Sequence, residues 1–272
     1  MLRLYPFVLF LSLSVIAAAS NDNFPAGSRQ AAMGGCGVAM FDLWSSYYNQ
    51  AGLGWLTNPA IGIHHENMYI VEEQSLSAMA AVYPSKLGNF GINVNYYGYQ
   101  YYHESKAGLS YSKNLGKYVS AALQFDYLHT YVADEYGNVG NIVFEAGIQV
   151  RPAENLSFGA HAYNPAQTEN EQFNGEKIPT IYRVGVAYQI IKDLLLITGE
   201  WEKDLNFAPS FRFGAEAEVA SNVFLRTGFI TEPDQLTFGA GYNFRNLRAD
   251  VAFTNHQPLG ITPHFTITYV FN

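Results

Sequence analysis

Seven histidines, one cysteine and a few closely spaced acids are the groups in this chain equipped to catalyse or to hold a metal. His64 and His65 are adjacent, so on an extended strand they face opposite sides and cannot chelate one ion together without a bulge. His103, His129, His161, His256 and His264 are scattered through the rest of the chain, and no metal site is expected. Glu200 and Glu202 stand two apart and share a strand face, as an acid pair would. The same spacing suits two members of a row of charges lining a polar lumen, and that reading is preferred. Glu169, Glu171 and Glu176 offer oxygens to calcium, but their spacing matches no EF-hand loop, so a solvated loop is expected. Cys36 is the only cysteine, so the chain can form no intramolecular disulfide. With Met33, Gly34 and Gly35 it faintly matches a lipidation box, yet it lies well beyond the apolar leader, and a small residue packed among glycines is expected. Gly-x-Ser-x-Gly, His-Glu-x-x-His and Gly-x-x-x-x-Gly-Lys are all missing. The expectation is a non-enzymatic protein without a cofactor.

The elements that must position these groups are strands. Fourteen short stretches between Ile61 and Phe271 alternate apolar with small or polar residues. In one of them Phe211, Phe213, Ala215, Ala217 and Val219 oppose Arg212, Gly214, Glu216 and Glu218. Another sets Leu247, Ala249, Val251 and Phe253 against Arg248, Asp250 and Thr254. A third sets Ile142, Phe144, Ala146, Ile148 and Val150 against Asn141, Glu145, Gln149 and Arg151. Strands greasy on one face and polar on the other, repeated over most of a chain, need a greasy surrounding.

Residues Met1 to Ala19 read as a cleaved signal peptide: Arg3, an apolar run from Leu4 to Ile16, then three alanines. No later stretch reaches the roughly 20 consecutive apolar residues of a membrane helix, although 49% of the residues are hydrophobic. An exported protein that spans a membrane without helices must be a closed barrel. The fold class expected is therefore all-β, a transmembrane antiparallel β-barrel of about 14 strands over residues 60–272 in the outer membrane. Charged residues make up only 14% and aromatics 15%, which suits aromatic girdles at the two lipid interfaces. Tyr96, Tyr97, Tyr99, Tyr101 and Tyr102 are expected in one girdle. The net charge of −8, with no basic stripe, argues against nucleic acid.

Link lengths test the barrel independently, because short turns belong on the periplasmic side and longer loops outside. Counting fourteen strands, the links at Pro84 to Gly88, Asn114 to Lys117, Pro152 to Asn155, Ile191 to Asp193, Ser221 and Arg245 are short and all fall on one side. The three longest, Val132 to Gly140, Asn164 to Lys177 and His256 to Pro263, fall on the other. Inside, Glu145, Glu200, Glu202, Glu216, Glu218 and Asp250 face Lys106, Arg151, Arg183, Arg212, Arg226 and Arg248. Signs so nearly balanced point to an occluded lumen in which opposite charges pair, not to a wide selective pore.

Residues 20–59 precede the strands and are rich in glycine. They contain Gly27, Arg29, Met33, Gly34, Gly35 and Asp42, and then Asn49, Gln50, Ala51, Gly52 and Leu53. Glycines allow close backbone approach and unusual dihedrals, as an inserted plug needs, and Arg29 is placed to anchor such a segment to luminal carboxylates. The pattern resembles the N-terminal signature of the FadL-like outer-membrane family, nearest the PorV and PorQ branch of type IX secretion in Bacteroidetes. It departs from that signature at Gln50, where the family has proline, and at Cys36, where it has alanine. The chain is also shorter than typical members, which implies trimmed external loops.

The resemblance implies a scaffold or shuttle working with type IX secretion components or their cargo. The alternative is a FadL-like channel for hydrophobic small molecules. Either would be embedded in outer-membrane lipid. The first is preferred at this point because the expected lumen is polar and charge-balanced.

Overall fold

The computed structural model describes residues 23–133, 137–170 and 176–272. The expected signal peptide, Met1 to Ala19, and Glu171 of the acidic loop lie outside the described residues. The strands of the barrel, in chain order, are β1 (Ala60–Asn67), β2 (Ser75–Pro84), β3 (Asn89–Tyr99), β4 (Tyr102–Asn114), β5 (Val119–Val132), β6 (Gly137–Ala153) and β7 (Leu156–Tyr163). They continue as β8 (Ile181–Ile191), β9 (Leu195–Asp204), β10 (Ser210–Ala220), β11 (Val223–Thr231), β12 (Asp234–Phe244), β13 (Leu247–His256) and β14 (Gly260–Val270). Each pairs antiparallel with its chain neighbours, and β1 pairs with β14 from Ala60 opposite Val270 to Glu66 opposite His264. Closure leaves no free edge, which is what lets strands cross lipid with every backbone amide paired.

The faces fall as alternation requires. Leu109, Phe125, Ile142, Phe211, Phe213 and Phe265 point outward, while Gln124, Glu145, Gln149, Arg183 and Glu216 point inward and are buried. In a water-soluble protein so much exposed aliphatic and aromatic surface would drive aggregation; around a barrel it is the lipid-facing band. Tyr96 lies on that outer surface, and Tyr99 and Tyr101 are exposed at the β3–β4 rim. Tyr97 does not: it turns into the lumen and stacks on Phe24 at 4.2 Å.

All six predicted short links are short. Asn222 and Arg245, with φ of 65° and 53°, supply the left-handed residues that tight hairpins need to match strand twist. On the opposite side the expectation of three long loops holds at only one link. Strands β5 and β6 run on until 133–136 is all that joins them, and β13 and β14 are joined by 257–259. Residues 164–180 remain long and carry a two-stranded ribbon, Glu169–Asn170 with Glu176–Lys177. A further link, 68–74, is wound into two single 3-10 turns.

The interior is filled by the N-terminal segment. It forms one short helix, α1 (Ser28–Ala32), and two 3-10 turns, Leu43–Tyr47 and Gln50–Trp55. Trp44, Tyr47, Tyr48 and Leu53 are buried there against Ala78, Ala80 and Val82 of β2. Small wall residues facing large segment residues give the lumen a packed core.

Candidate functional site

The N-terminal segment crosses the barrel from the wall of β11 to β14, where α1 lies, to the wall of β3 to β6, where the turn Gln50–Trp55 packs. A five-residue helix has no independent stability, so its seat is made by the wall. Ser28 donates its backbone N–H to Thr266 Oγ1 at 2.9 Å. Thr237 Oγ1 accepts from Gly34 N and donates to the Ala32 carbonyl, both at 2.9 Å. Glu200 takes the amides of Gly37 and Val38 at 2.8 and 2.9 Å.

Glycines make this approach possible from both partners. Gly34 and Gly35 have φ near +70°, which turns the chain sharply after α1. On the wall, Gly214 and Gly228 abut Met33 and Gly34, Gly159 abuts Val38 and Gly147 abuts Asn49. A Cβ on Gly159 would stand 2.0 Å from the Val38 carbonyl oxygen, and one on Gly228 2.1 Å from Gly34 N. Met33 fits against Gly214.

Arg29 occupies the centre. It donates to both carboxylate oxygens of Glu216 and, at 3.0 Å, to Asp42 of its own segment. Burial works against the guanidinium's charge, but Glu216 first and then Asp42 outweigh it and hold the group firmly protonated. Asp42 also caps the turn Leu43–Tyr47 by accepting from Trp44 N, and takes the amide of Gln30. Asn49 caps the next turn through Ala51 N and donates to the Val38 carbonyl at 2.7 Å, tying both halves of the segment together. Gly52 lies where a Cβ would strike Ser45 and the Met40 carbonyl, and Leu53 is fully buried. Gly27 precedes α1 with φ 123° and abuts Trp44. The structure thus brings Gly27, Arg29, Met33, Gly34, Gly35, Asp42, Asn49, Ala51, Gly52 and Leu53 together as one seated segment.

The luminal charges fall into three groups. Asp250 accepts from Arg248 at 2.9 Å and lies 2.9 Å from Arg226 as an ion pair, and Arg226 also binds Glu216. Glu202 sits between Arg183 and Arg212, with Glu200 beside Arg183 at 3.9 Å. Glu145 binds Lys106 at 3.3 Å, His161 at 2.9 Å and the segment's Gln50 at 2.6 Å. Glu200 and Glu202 are therefore committed to plug amides and arginines. Two residues depart from the expected lattice. Glu218 accepts from Asn222 N at the β10–β11 turn and makes no ion pair among the described residues. Arg151 lies over the rings of Phe41 and Trp55.

Four contributors escaped sequence reading. Gln50 stands where the signature has proline, and it bridges to Glu145. His161 and Gln124 both bind Glu145, and their inward alternation was the available signal. The fourth is His264: the closing pair β1–β14 puts it beside His64 and Glu66, the latter 198 residues away in sequence.

Cys36 is buried and free. Burial first, and Glu200 second, push its thiol well above the ordinary range, and burial likewise raises the Tyr47 and Tyr48 phenols. These groups stay neutral. Tyr47 donates to the carbonyls of Val94 and Met79.

The segment divides the lumen. On the side of the links after odd-numbered strands, a cavity of about 240 Å³ lies among Phe24, Gly27, Ala31, Glu66, Tyr69, Arg212 and His264. On the short-turn side, a cavity of about 350 Å³ lies among Arg29, Phe41, Trp44, Trp55, Leu56 and Val270. Gly27, Ala31 and Gly35 border the first and Arg29 the second, so α1 and its turn form the partition.

These features define a class: a fourteen-stranded outer-membrane barrel whose lumen is filled by its own N-terminal segment. No protein-family model matches the sequence, and no curated protein is similar to it. Among solved structures the chain is similar to the toluene transporter TbuX of Ralstonia pickettii, with TM-score 0.68 and 12% identity over 90% of this chain and 98% of that one. The toluene transporter TodX of P. putida gives TM-score 0.70 at 10% identity, over 92% and 100%. The outer membrane protein Omp33 of Acinetobacter baumannii gives 0.54 at 11%, over 80% and 100%. At such identities the likeness is one of fold.

Proposed function

We propose that the protein is a channel that admits a small hydrophobic molecule through the outer membrane and is held shut by its N-terminal segment. The observation that carries this reading is the partition itself: two largely apolar cavities of small-molecule size face opposite ends of one lumen, separated by a short, polar-anchored segment. Resemblance of fold to two toluene transporters supports the choice of an apolar solute. Displacing α1 would join the cavities without breaking a strand pair.

A lock tests the idea. Ser28 Oγ and Thr266 Oγ1 are 2.8 Å apart, close enough for a cross-link. In a Cys36→Ala background, Ser28→Cys with Thr266→Cys should take up toluene when reduced and stop when oxidised. Equal uptake in both states, or none above an empty membrane, would refute the channel. The scaffold reading, with type IX secretion components or cargo as partners, rests on the N-terminal signature alone. A mild-detergent pull-down from native membranes that returned stoichiometric secretion components would favour it.

A further inference from the structure

We propose that His64, Glu66 and His264 form a binding site for a divalent transition-metal ion of the zinc class, at the seam where the barrel closes. This inference is independent of the channel reading. The three side chains are buried, and one ligand atom from each lies within 4.8 Å of the others. Two imidazole nitrogens and a carboxylate oxygen suit zinc and its neighbours, whereas calcium and magnesium take oxygen sets.

The geometry is already near what coordination needs. In a tetrahedral site with bonds of about 2.0–2.1 Å, neighbouring ligand atoms stand about 3.3 Å apart. His64 Nε2 lies 3.2 Å from Glu66 Oε2. His264 Nδ1 lies 2.6 Å from the same oxygen, and a rotation of one side chain widens that gap.

The remaining nitrogen of each ring is held by a threonine. His64 Nδ1 meets Thr266 Oγ1 at 2.9 Å, and His264 Nε2 meets Thr254 Oγ1 at 3.0 Å. A hydroxyl donates or accepts, so each threonine serves the ring in either tautomer. With a metal bound, both rings turn their lone pairs to the ion and their N–H groups to the threonines. Their protons move within each ring and none is lost. An outer partner on each histidine is the usual companion of a metal site. Glu66 and His264 border the cavity of about 240 Å³, which leaves a coordination position open to a water or a passing ligand.

The position gives the site a consequence. His64 and Glu66 belong to β1 and His264 to β14, so a metal would staple the first strand to the last. Thr266 also holds Ser28 of α1, so the same hydroxyl links metal, wall and plug.

The test uses the full chain, refolded in detergent with a histidine-free tag and titrated with Co²⁺ and then Zn²⁺. Saturable one-to-one Co²⁺ binding with visible absorption bands, displaced by Zn²⁺, is expected. Zn²⁺ should also raise the wild-type unfolding temperature. His264→Gln should bind at least about tenfold more weakly, and Thr254→Val, which removes only the outer partner, about tenfold. Heat-modifiable gel migration checks that each variant is folded, and Thr254→Val decides if His264→Gln is not. No saturable binding by the wild type, or equal binding by every folded variant, would overturn the site.

Discussion

Arg29 is the residue on which the segment turns, because among the described residues it joins the segment's own acid, Asp42, to the wall's acid, Glu216. Replacing it by methionine keeps the stem's packing and removes five donors. Glu216 retains Arg226 and Asp42 retains Gln30, so neither carboxylate is left bare. Arg29→Met is therefore expected to cost about 2–3 kcal/mol and to expose residues 23–59 to protease before the barrel unfolds. Undiminished protection of the segment would argue against the anchor. Its pairing with a luminal carboxylate was legible from one basic residue among glycines beside a charge-balanced lumen; its choice of Glu216 was not, since that depends on where the chain enters. Cys36 reports the same event differently. Its raised thiol stays protonated in the folded state, where the unfolded thiol ionises, so stability from this group is lost as pH rises past the unfolded value. Maleimide should label it only when the segment leaves its seat. Rapid labelling of the native barrel near pH 8 would show a seat already open.

At the level of elements, the wall's inward glycines and the segment's backbone form a matched pair. Gly159→Ala puts a methyl group 2.0 Å from the Val38 carbonyl, and the wall backbone cannot yield within a paired sheet, so the segment must. The expected cost is about 1–3 kcal/mol, released by displacing the segment and leaving the strands in place. Gly199→Ala, whose nearest neighbour would be Phe213 at 3.7 Å, is the matched control and should behave as wild type. Thermal unfolding together with toluene uptake distinguishes the two; equal effects from both would mean the glycines are not a seat. The strands themselves were readable from alternation, as β10 and β13 illustrate, because one lipid-facing side and one polar side leave a period of two. The glycines' purpose was not. A glycine in a strand looks the same whether it relieves a bulge or receives another chain.

For the whole molecule, alternation told the strand count, and link lengths agreed with an even number, since short hairpins recur at one end whatever the sequence between them. What they concealed was closure. His264 meets His64 and Glu66 because the last strand returns to the first, and no local pattern marks that encounter. They also overstated the loops: the residues between Val132 and Gly140 were read as a link, but β5 and β6 keep pairing through much of that stretch. The rim on that side is low in consequence. Strands β3 and β4 are joined across residues 100–101 and β11 and β12 across 232–233. On a rim so closely trimmed the longest link is residues 164–180, with 68–74 a shorter second. An antibody or a phage tail fibre, which must grip before it does anything else, would find little else to hold than these two.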